Sequence, residues 1–178
     1  MSYFEQFPKL VYDIKGNEEY KLVPDIFRRI KLKSKVSDNL MLYDKYDIAD
    51  GETPESVAFN VYGDAQLHWV ILLTNNIQNR YHGWPLSNQA FEKWVFEKYE
   101  NPQATRHYEV IQSSGPQKGN GPEDYDHMLE VNAGTPGAQS VSYYEYELRI
   151  QNQKRQIKLL DPRYLNAFVS EFERLIRK

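Results

Sequence analysis

The stretch YDIADGETPESVAFNVYGDAQLHWVILLTNN, residues 46–76, decides the fold, because it carries the start and stop residues of a complete supersecondary unit. It opens with a predicted strand over residues 46–48. The pair Asp50-Gly51 ends that strand, since both residues readily adopt the positive φ that a tight turn needs. A helix is therefore expected to begin directly after the turn.

Two helices are predicted from the residues at their ends. Thr53 can cap a first helix, and Pro54 fits its first position, where a missing N–H costs nothing. Gly63 ends this helix in the left-handed conformation, and Asp64 caps a second helix. Ile77, just after the second helix, is the expected start of a return strand. The unit therefore reads strand, helix, helix, strand.

The second helix is apolar on nearly every side. One face of this helix carries Leu67, Val70, Ile71 and Thr74. Three large apolar residues lie outside that face: Trp69, Leu72 and Leu73. A helix of this kind is buried on more than one side, so a further part of the chain is expected to pack against it.

This unit resembles the LysM module through residues of its first strand, its loops and both helices: Tyr46, Ile48, Gly51, Glu52, Thr53, Val57, Ala58, Tyr62, Gly63, Leu67 and Asn75. The run Tyr-Gly-Asp before a Leu-x-Trp-Val-Ile helix is similar to the variant found in tail proteins of contractile phages. The chain departs from ordinary wall-binding LysM modules at Pro54, where leucine is usual, and at the bulky Trp69. These departures count against sugar binding.

The segments on either side extend the resemblance to most of the chain. In order, they are SYFEQFPKLVYDI, IFRRIKL, HGWPLS with the helix after it, and KRQIKLLDPRYLNAFVSEFERLI. With them the chain looks like the LysM-like baseplate wedge subunit of T-even-type contractile-tailed phages, and it is most similar to the shorter versions of marine and cyanobacterial myophages. The resemblance implies a structural virion protein of the tail baseplate, assembled in the host cytoplasm.

The resemblance also implies protein partners and no enzymatic activity. The partners are expected to be the helical-bundle wedge subunits, the sheath-initiating wedge subunit and the neighbouring wedge. The chain would clamp subunits within a wedge and link neighbouring wedges around the hub. A peptidoglycan- or chitin-type glycan-binding LysM module is the main alternative, and a degraded lytic accessory is a third.

Nine residues are candidates for a protein contact. Five match the two loops that form the LysM groove: Asp50, Gly51, Glu52, Asn75 and Asn76. The same five could serve as turn and cap residues, since those roles need only local hydrogen bonds. The other four are aromatic: Tyr3, Phe4 and Phe7 in the N-terminal arm, and Trp84 in the HGWPLS turn. The arm aromatics are expected either to cover the unit of their own chain or to insert into a neighbour.

The composition of the 178 residues indicates a folded protein without a nucleic-acid or membrane partner. A net charge of −3 gives no electrostatic footprint for nucleic acid, and the absence of cysteine fits assembly in a reducing cytoplasm. No apolar run approaches the roughly 20 residues of a membrane span, and MSYFEQFPKL lacks the pattern of a signal peptide. The basic stretch 28–35 alternates with apolar residues, which favours a half-exposed strand over a patch for phosphate or for an acidic partner.

No catalytic, cofactor or metal site is predicted. The four histidines show no metal-ligand spacing, and without cysteines a zinc site would need carboxylates from distant segments. Glu52 and Glu55 flank a helix start, where the helix dipole stabilises the anion, the wrong direction for a glycosidase general acid. The GxSxG, P-loop and GxGxxG motifs are absent from the sequence.

The whole chain is predicted to be α+β. Residues 1–42 form an N-terminal aromatic arm with strands at 11–14 and 27–32, residues 43–80 form the LysM-like unit, and residues 81–178 form a C-terminal α+β region that packs on it. That region should contain a helix after Ser87, a hairpin of HYEVIQ and HMLEVNA, a strand RQIKLL and a final amphipathic helix. A capping box of Ser142 with Glu145 favours a helix over a strand for residues 142–154.

Overall fold

The computed structural model describes residues 3–33, 36, 39–112 and 127–178, and the predicted loop at 113–126 lies outside them. Its strands, in chain order, are β1 Lys9–Asp13, β2 Tyr20–Pro24, β3 Tyr43–Asp47, β4 Thr105–Gln112, β5 His127–Val131, β6 Gln139–Ser142 and β7 Gln156–Leu160. Its α-helices are α1 Pro54–Tyr62, α2 His68–Thr74, α3 Arg80–Gly83, α4 Asn88–Lys98, α5 Tyr143–Arg155 and α6 Leu165–Ile176. The chain is therefore α+β, as predicted.

The chain forms two compact units. Unit 1 consists of Met1–Pro85 together with Lys154–Lys178, and unit 2 consists of Leu86–Gln153. The sheets of the described residues are small and antiparallel: β1 pairs with β2, β3 pairs with β7, and β4 lies between β5 and β6. The predicted strand RQIKLL and the final helix are confirmed as β7 and α6, and both belong to unit 1. The three-part division drawn from the sequence stays a prediction.

The return strand of unit 1 is not where the sequence indicated. Ile77 lies in no strand, because its N–H donates to the oxygen of Leu72 at 2.8 Å and completes the end of α2. Asn76, at φ 53°, adopts the left-handed conformation that this helix ending requires. The strand that pairs with β3 is β7, in which Ile157 lies opposite Tyr46. The prediction of a strand at Ile77 is therefore wrong, and a segment from the end of the chain closes the unit.

The ends of α1 and α2 follow the local sequence. Thr53 accepts a hydrogen bond from the N–H of Ser56 at 3.2 Å, and Gly63, at φ 75°, ends α1 in the left-handed conformation. Asp64 then caps a short 3-10 turn, Ala65–Leu67, which leads into α2. Both predicted helices are confirmed. They could be predicted from the sequence because each boundary depends on interactions within a few residues.

Helix α2 is buried on two sides, as its sequence predicted. One side joins a cluster with the N-terminal arm and α6: Phe7, Leu67, Trp69, Val70, Leu160, Phe172 and Ile176. The other side joins a cluster with α1 and β7: Ile48, Val57, Ala58, Ile71, Trp84, Ile157 and Leu159. The ring centroids of Trp69 and Phe172 lie 4.4 Å apart, so the last helix packs directly on α2.

The N-terminal arm forms a hairpin whose second strand was predicted in the wrong place. Strand β1 overlaps the predicted strand at 11–14, but its partner is β2 and not residues 27–32. The chain returns early because the Asp13 carboxylate accepts from the N–H groups of Gly16 and Glu18, both at 2.8 Å, and so closes a tight turn. The predicted strand at 27–32 is therefore wrong for this structure.

The helices and strands of unit 2 match those predicted from the sequence, with one exception. The hydroxyl of Ser87 caps α4, and β4 and β5 form the predicted hairpin. Residues 142–154 are helical, because Ser142 and Glu145 form the predicted capping box. The exception is β6, which pairs with β4 although the segment leading into it, AGTPGAQS, reads as a turn.

A buried carboxylate connects the sheet of unit 2 to α5. Glu109, on β4, has a side chain that is 7% exposed and lies 2.7 Å from Nη2 of Arg149. The imidazole of His107 is 3.5 Å from the same carboxylate. Hydrogen bonds from Arg149 lower the pKa of Glu109 below its ordinary value and outweigh the opposite effect of burial. The ionised form of Glu109 therefore stabilises the folded state.

Glu109→Gln should lower the free energy of unfolding by about 1 to 3 kcal/mol near pH 7, because Arg149 loses a charged acceptor. The stabilisation is fully present above the ordinary glutamate pKa of about 4.3 and is lost as the pH falls through the lowered pKa. Urea unfolding of both proteins, followed by circular dichroism at about pH 7 and about pH 3, measures the difference. It should shrink at the lower pH, and an equal difference at both values would contradict a role for the charge.

Candidate protein interface

The N-terminal aromatics lie against the core of unit 1. Phe7 is 6% exposed, and the ring centroid of Tyr3 lies 5.6 Å from that of Phe172. Phe4 is 57% exposed. Tyr3 and Phe7 therefore cover the unit of their own chain, Phe4 faces outward, and contact of any of the three with a partner stays a prediction.

The loop of Asp50, Gly51 and Glu52 is held by bonds within unit 1. The carboxylate of Glu52 accepts from the hydroxyl of Tyr46 at 2.9 Å, and burial followed by this contact raises the pKa of Tyr46. Gly51 adopts φ 76°, which favours glycine at that position. The carboxylate of Asp50 lies 3.8 Å from Arg155. Asp50 and Gly51 are nevertheless exposed, so part of the loop is open to solvent.

Asn75 ties the end of α2 to the outer edge of β7. Its Nδ2 donates to the oxygen of Lys158 at 2.8 Å, and its Oδ1 accepts from the N–H of Lys158 at 2.8 Å. The same Nδ2 also donates to the oxygen of Ile71 at 2.9 Å. The Asn75 side chain thus bonds β7 as a neighbouring strand would. Asn76, the next residue, is exposed.

Trp84 is part of the core. It is 7% exposed, and its Nε1–H donates to the oxygen of Glu52 at 2.8 Å. Its ring packs in the cluster that contains Val57 and Ile157. Replacing Trp84 by alanine would therefore disturb folding before it reported on any partner.

An exposed apolar surface that the candidate residues did not include lies on the N-terminal hairpin. Val11 and Leu22 face each other across β1 and β2 and are 63% and 68% exposed. Tyr20, two residues from Leu22 on the same side, is 66% exposed. We call these three residues the hairpin face. The period-two apolar pattern of YKLVP could have indicated it, but the second strand was predicted further along the chain.

A groove with a volume of about 1130 Å³ lies beside α2. It is lined by α2 and the residues just after it, by residues 26–32, and by the aromatic residues of the arm. Arg28, Arg29 and Lys31 contribute positive charge, and no carboxylate is among the described residues that line it. We call this the basic groove.

The ranges that the structure describes hold neither a cluster of metal ligands nor a membrane-spanning helix. Within them, no three histidine, aspartate or glutamate side chains come together as a metal site. No helix in the same ranges is long and apolar enough to cross a membrane.

Comparison with known proteins decides the family. A family model described as Base plate wedge protein 53 matches residues 2–110, which is more than half of the 178-residue chain. The chain belongs to the Base plate wedge protein 53 family. Baseplate wedge protein gp53 of Enterobacteria phage T4 is 27% identical over 195 aligned positions, which cover 98% of this chain and 96% of that relative.

This wedge protein is a structural component of the virion tail baseplate, as its resemblance to the T-even-type wedge subunit implied. The family match includes the hairpin face, the basic groove, α1, α2 and Trp84. The likeness of residues 43–80 to a LysM module stays a prediction.

In this wedge protein, Asn75→Ala should lower the free energy of unfolding by about 1 to 3 kcal/mol, because the N–H and oxygen of Lys158 lose their partner. Asn76→Gly is the matched control, since glycine adopts the left-handed conformation without cost, and it should change stability by less than about 0.5 kcal/mol. Denaturant unfolding followed by tryptophan fluorescence measures both. Equal losses in the two variants would show that Asn75 does not hold β7.

Proposed function

We propose that this wedge protein clamps subunits within a baseplate wedge and links neighbouring wedges around the hub, without catalysing a reaction. Its partners are the helical-bundle wedge subunits, the sheath-initiating wedge subunit and a subunit of the neighbouring wedge. Neither nucleic acid nor a membrane takes part. The family match supports a place in the baseplate wedge. The exposed apolar surface of the hairpin supports contact with another protein.

The hairpin face is the observation that carries the proposal. Val11, Tyr20 and Leu22 are 63%, 66% and 68% exposed, and they lie on a sheet of only two strands in the described part of the chain. A two-stranded hairpin is marginally stable by itself, and an apolar face left in water does not support it. Burial beneath a partner removes this face from water and orders the hairpin, so the hairpin acts as an arm between subunits.

The ligand in this proposal is protein and not glycan. One side chain of each loop that matches the LysM groove is already engaged within unit 1, because Glu52 accepts from Tyr46 at 2.9 Å and Asn75 bonds Lys158 at 2.8 Å. Two polar side chains that could have held a sugar therefore have partners inside the unit.

The double variant Val11→Thr, Leu22→Thr should reduce incorporation into wedges at least about tenfold, because the hairpin face loses its apolar contact area. Threonine is β-branched and keeps the strands, so the hairpin itself is preserved. The amount of this chain in tails purified after complementation of a phage lacking its own copy gives the readout.

Phe59→Gln is the control for the hairpin variant. Phe59 is 62% exposed on α1, so its replacement removes a comparable apolar surface from another element. It should leave incorporation unchanged. Wild-type incorporation of the double variant, measured beside this control, would rule out the hairpin face as the contact.

A pull-down with insoluble peptidoglycan tests the class of ligand. The purified chain should remain in the supernatant, because Glu52 and Asn75, one from each loop that matches the LysM groove, already have partners inside unit 1. Retention that soluble glycan fragments compete away would replace the connector role with a glycan-binding one.

A further inference from the structure

Residues 28–33 lie in no helix and in no sheet of the described part of unit 1. Their side chains alternate strictly, with the even-numbered residues half-buried and the odd-numbered residues exposed. Ile30, in the middle, packs against the cluster that contains Trp69 and Phe172. The segment is thus fixed along one face, as a strand would be, although no strand among the described residues pairs with it.

The backbone of residues 29–32 has no hydrogen-bond partner among the residues that the structure describes. The backbone bonds on either side are local turns, from Arg28 N–H to Asp25 at 3.5 Å and from Val36 N–H to Lys33 at 2.9 Å. A segment that is anchored by alternate side chains, and whose N–H and C=O groups have no partner among the described residues, presents an open strand edge. Such an edge can accept a strand from another chain.

The open edge lines the basic groove, and its charges indicate what could lie there. Arg28 pairs with Asp25 at 2.9 Å, whereas Arg29 and Lys31 have no ion pair with a described residue. This positive lining occurs in a chain whose net charge is −3. The groove, of about 1130 Å³, has the consecutive residues 26–32 along its lining, so a segment of polypeptide can lie beside their backbone.

We propose that an extended segment of a partner protein, in which acidic residues alternate with apolar ones, adds to residues 29–32 as a strand and fills the basic groove. Its backbone pairs with the open edge at a strand spacing of about 4.8 Å. Its apolar side chains pack on the wall formed by α2, and its carboxylates pair with Arg29 and Lys31. The inference rests on the proposed connector role and defines one of the contacts that this role requires.

This proposal also accounts for the failed strand prediction. The alternation of apolar and basic residues in IKLK is that of a half-buried strand, and the structure preserves the alternation in burial. No strand among the described residues pairs with this segment. The pattern is therefore that of a strand completed by another protein.

Hydrogen exchange measured by mass spectrometry tests the proposal, on the free chain and on purified wedges that contain it. Alternate amides of residues 29–32, those whose N–H groups face the added strand, should exchange at least about 100-fold more slowly in the wedge, because strand pairing protects them. Fast exchange there, in wedges that demonstrably contain the chain, overturns the strand proposal alone. Absence of the chain from purified wedges overturns the connector role as well.

A charge reversal tests the chemistry of the occupant. Lys31→Glu should weaken binding to wedges isolated without this chain at least about tenfold at low salt, and the difference from the wild type should shrink as salt rises. Lys93→Glu is the matched control, because Lys93 is a 77% exposed side chain on α4, outside the groove. Equal binding of Lys31→Glu and the wild type would show that the groove does not hold an acidic segment.

Discussion

The pairing of β3 with β7 is the constraint on which unit 1 depends. Strand β7 comes from the end of the chain, and Ile157, Leu159 and Leu160 on it are all buried. Both core clusters of the unit contain residues of β7, so neither is complete before the strand is in place. Asn75 holds the other edge of β7 through Lys158. This arrangement makes folding of unit 1 depend on contacts distant in sequence, which form later than local ones.

The same constraint determines which surfaces are available to partners. Asn75 holds β7, Glu52 holds its own loop and accepts from Trp84, and Tyr3 and Phe7 cover α2. These residues, which the sequence indicates as candidates for a partner contact, therefore stabilise unit 1. The hairpin face and the basic groove are different, because their apolar, basic and backbone groups have few partners within the described chain. The proposed connector role needs surfaces of this kind, since the interfaces of a connector form only in the assembly.

The features that could be predicted from the sequence were those set by neighbouring residues. Thr53, Gly63 and Ser87 mark helix ends because a cap depends on hydrogen bonds within one turn. The capping box at Ser142 gave the correct helix for the same reason, even though the tyrosines of that segment alternate as in a strand. These interactions are complete within a few residues, so no knowledge of the tertiary structure was needed.

The failures concern partners that are distant in sequence or belong to another molecule. Ile77 was predicted as a return strand because nothing near it indicates that β7 fills that place. The turn closed by Asp13 places the second strand of the arm at β2, and residues 27–32 have no partner strand among the described residues. Trp84 looked like a contact residue, since a tryptophan between Gly83 and a proline gives no local sign of burial. The hairpin face was missed because its register depends on the turn and not on either strand alone.

A density map of an assembled tail baseplate that contains this chain tests the account most directly. The account predicts that another subunit covers Val11 and Leu22, and that the Asn75 side chain still bonds β7. The account would be contradicted by a map in which the hairpin face lies in solvent and two side chains contact a partner instead of their own unit. These are Asn75, no longer bonded to β7, and Glu52, no longer bonded to Tyr46.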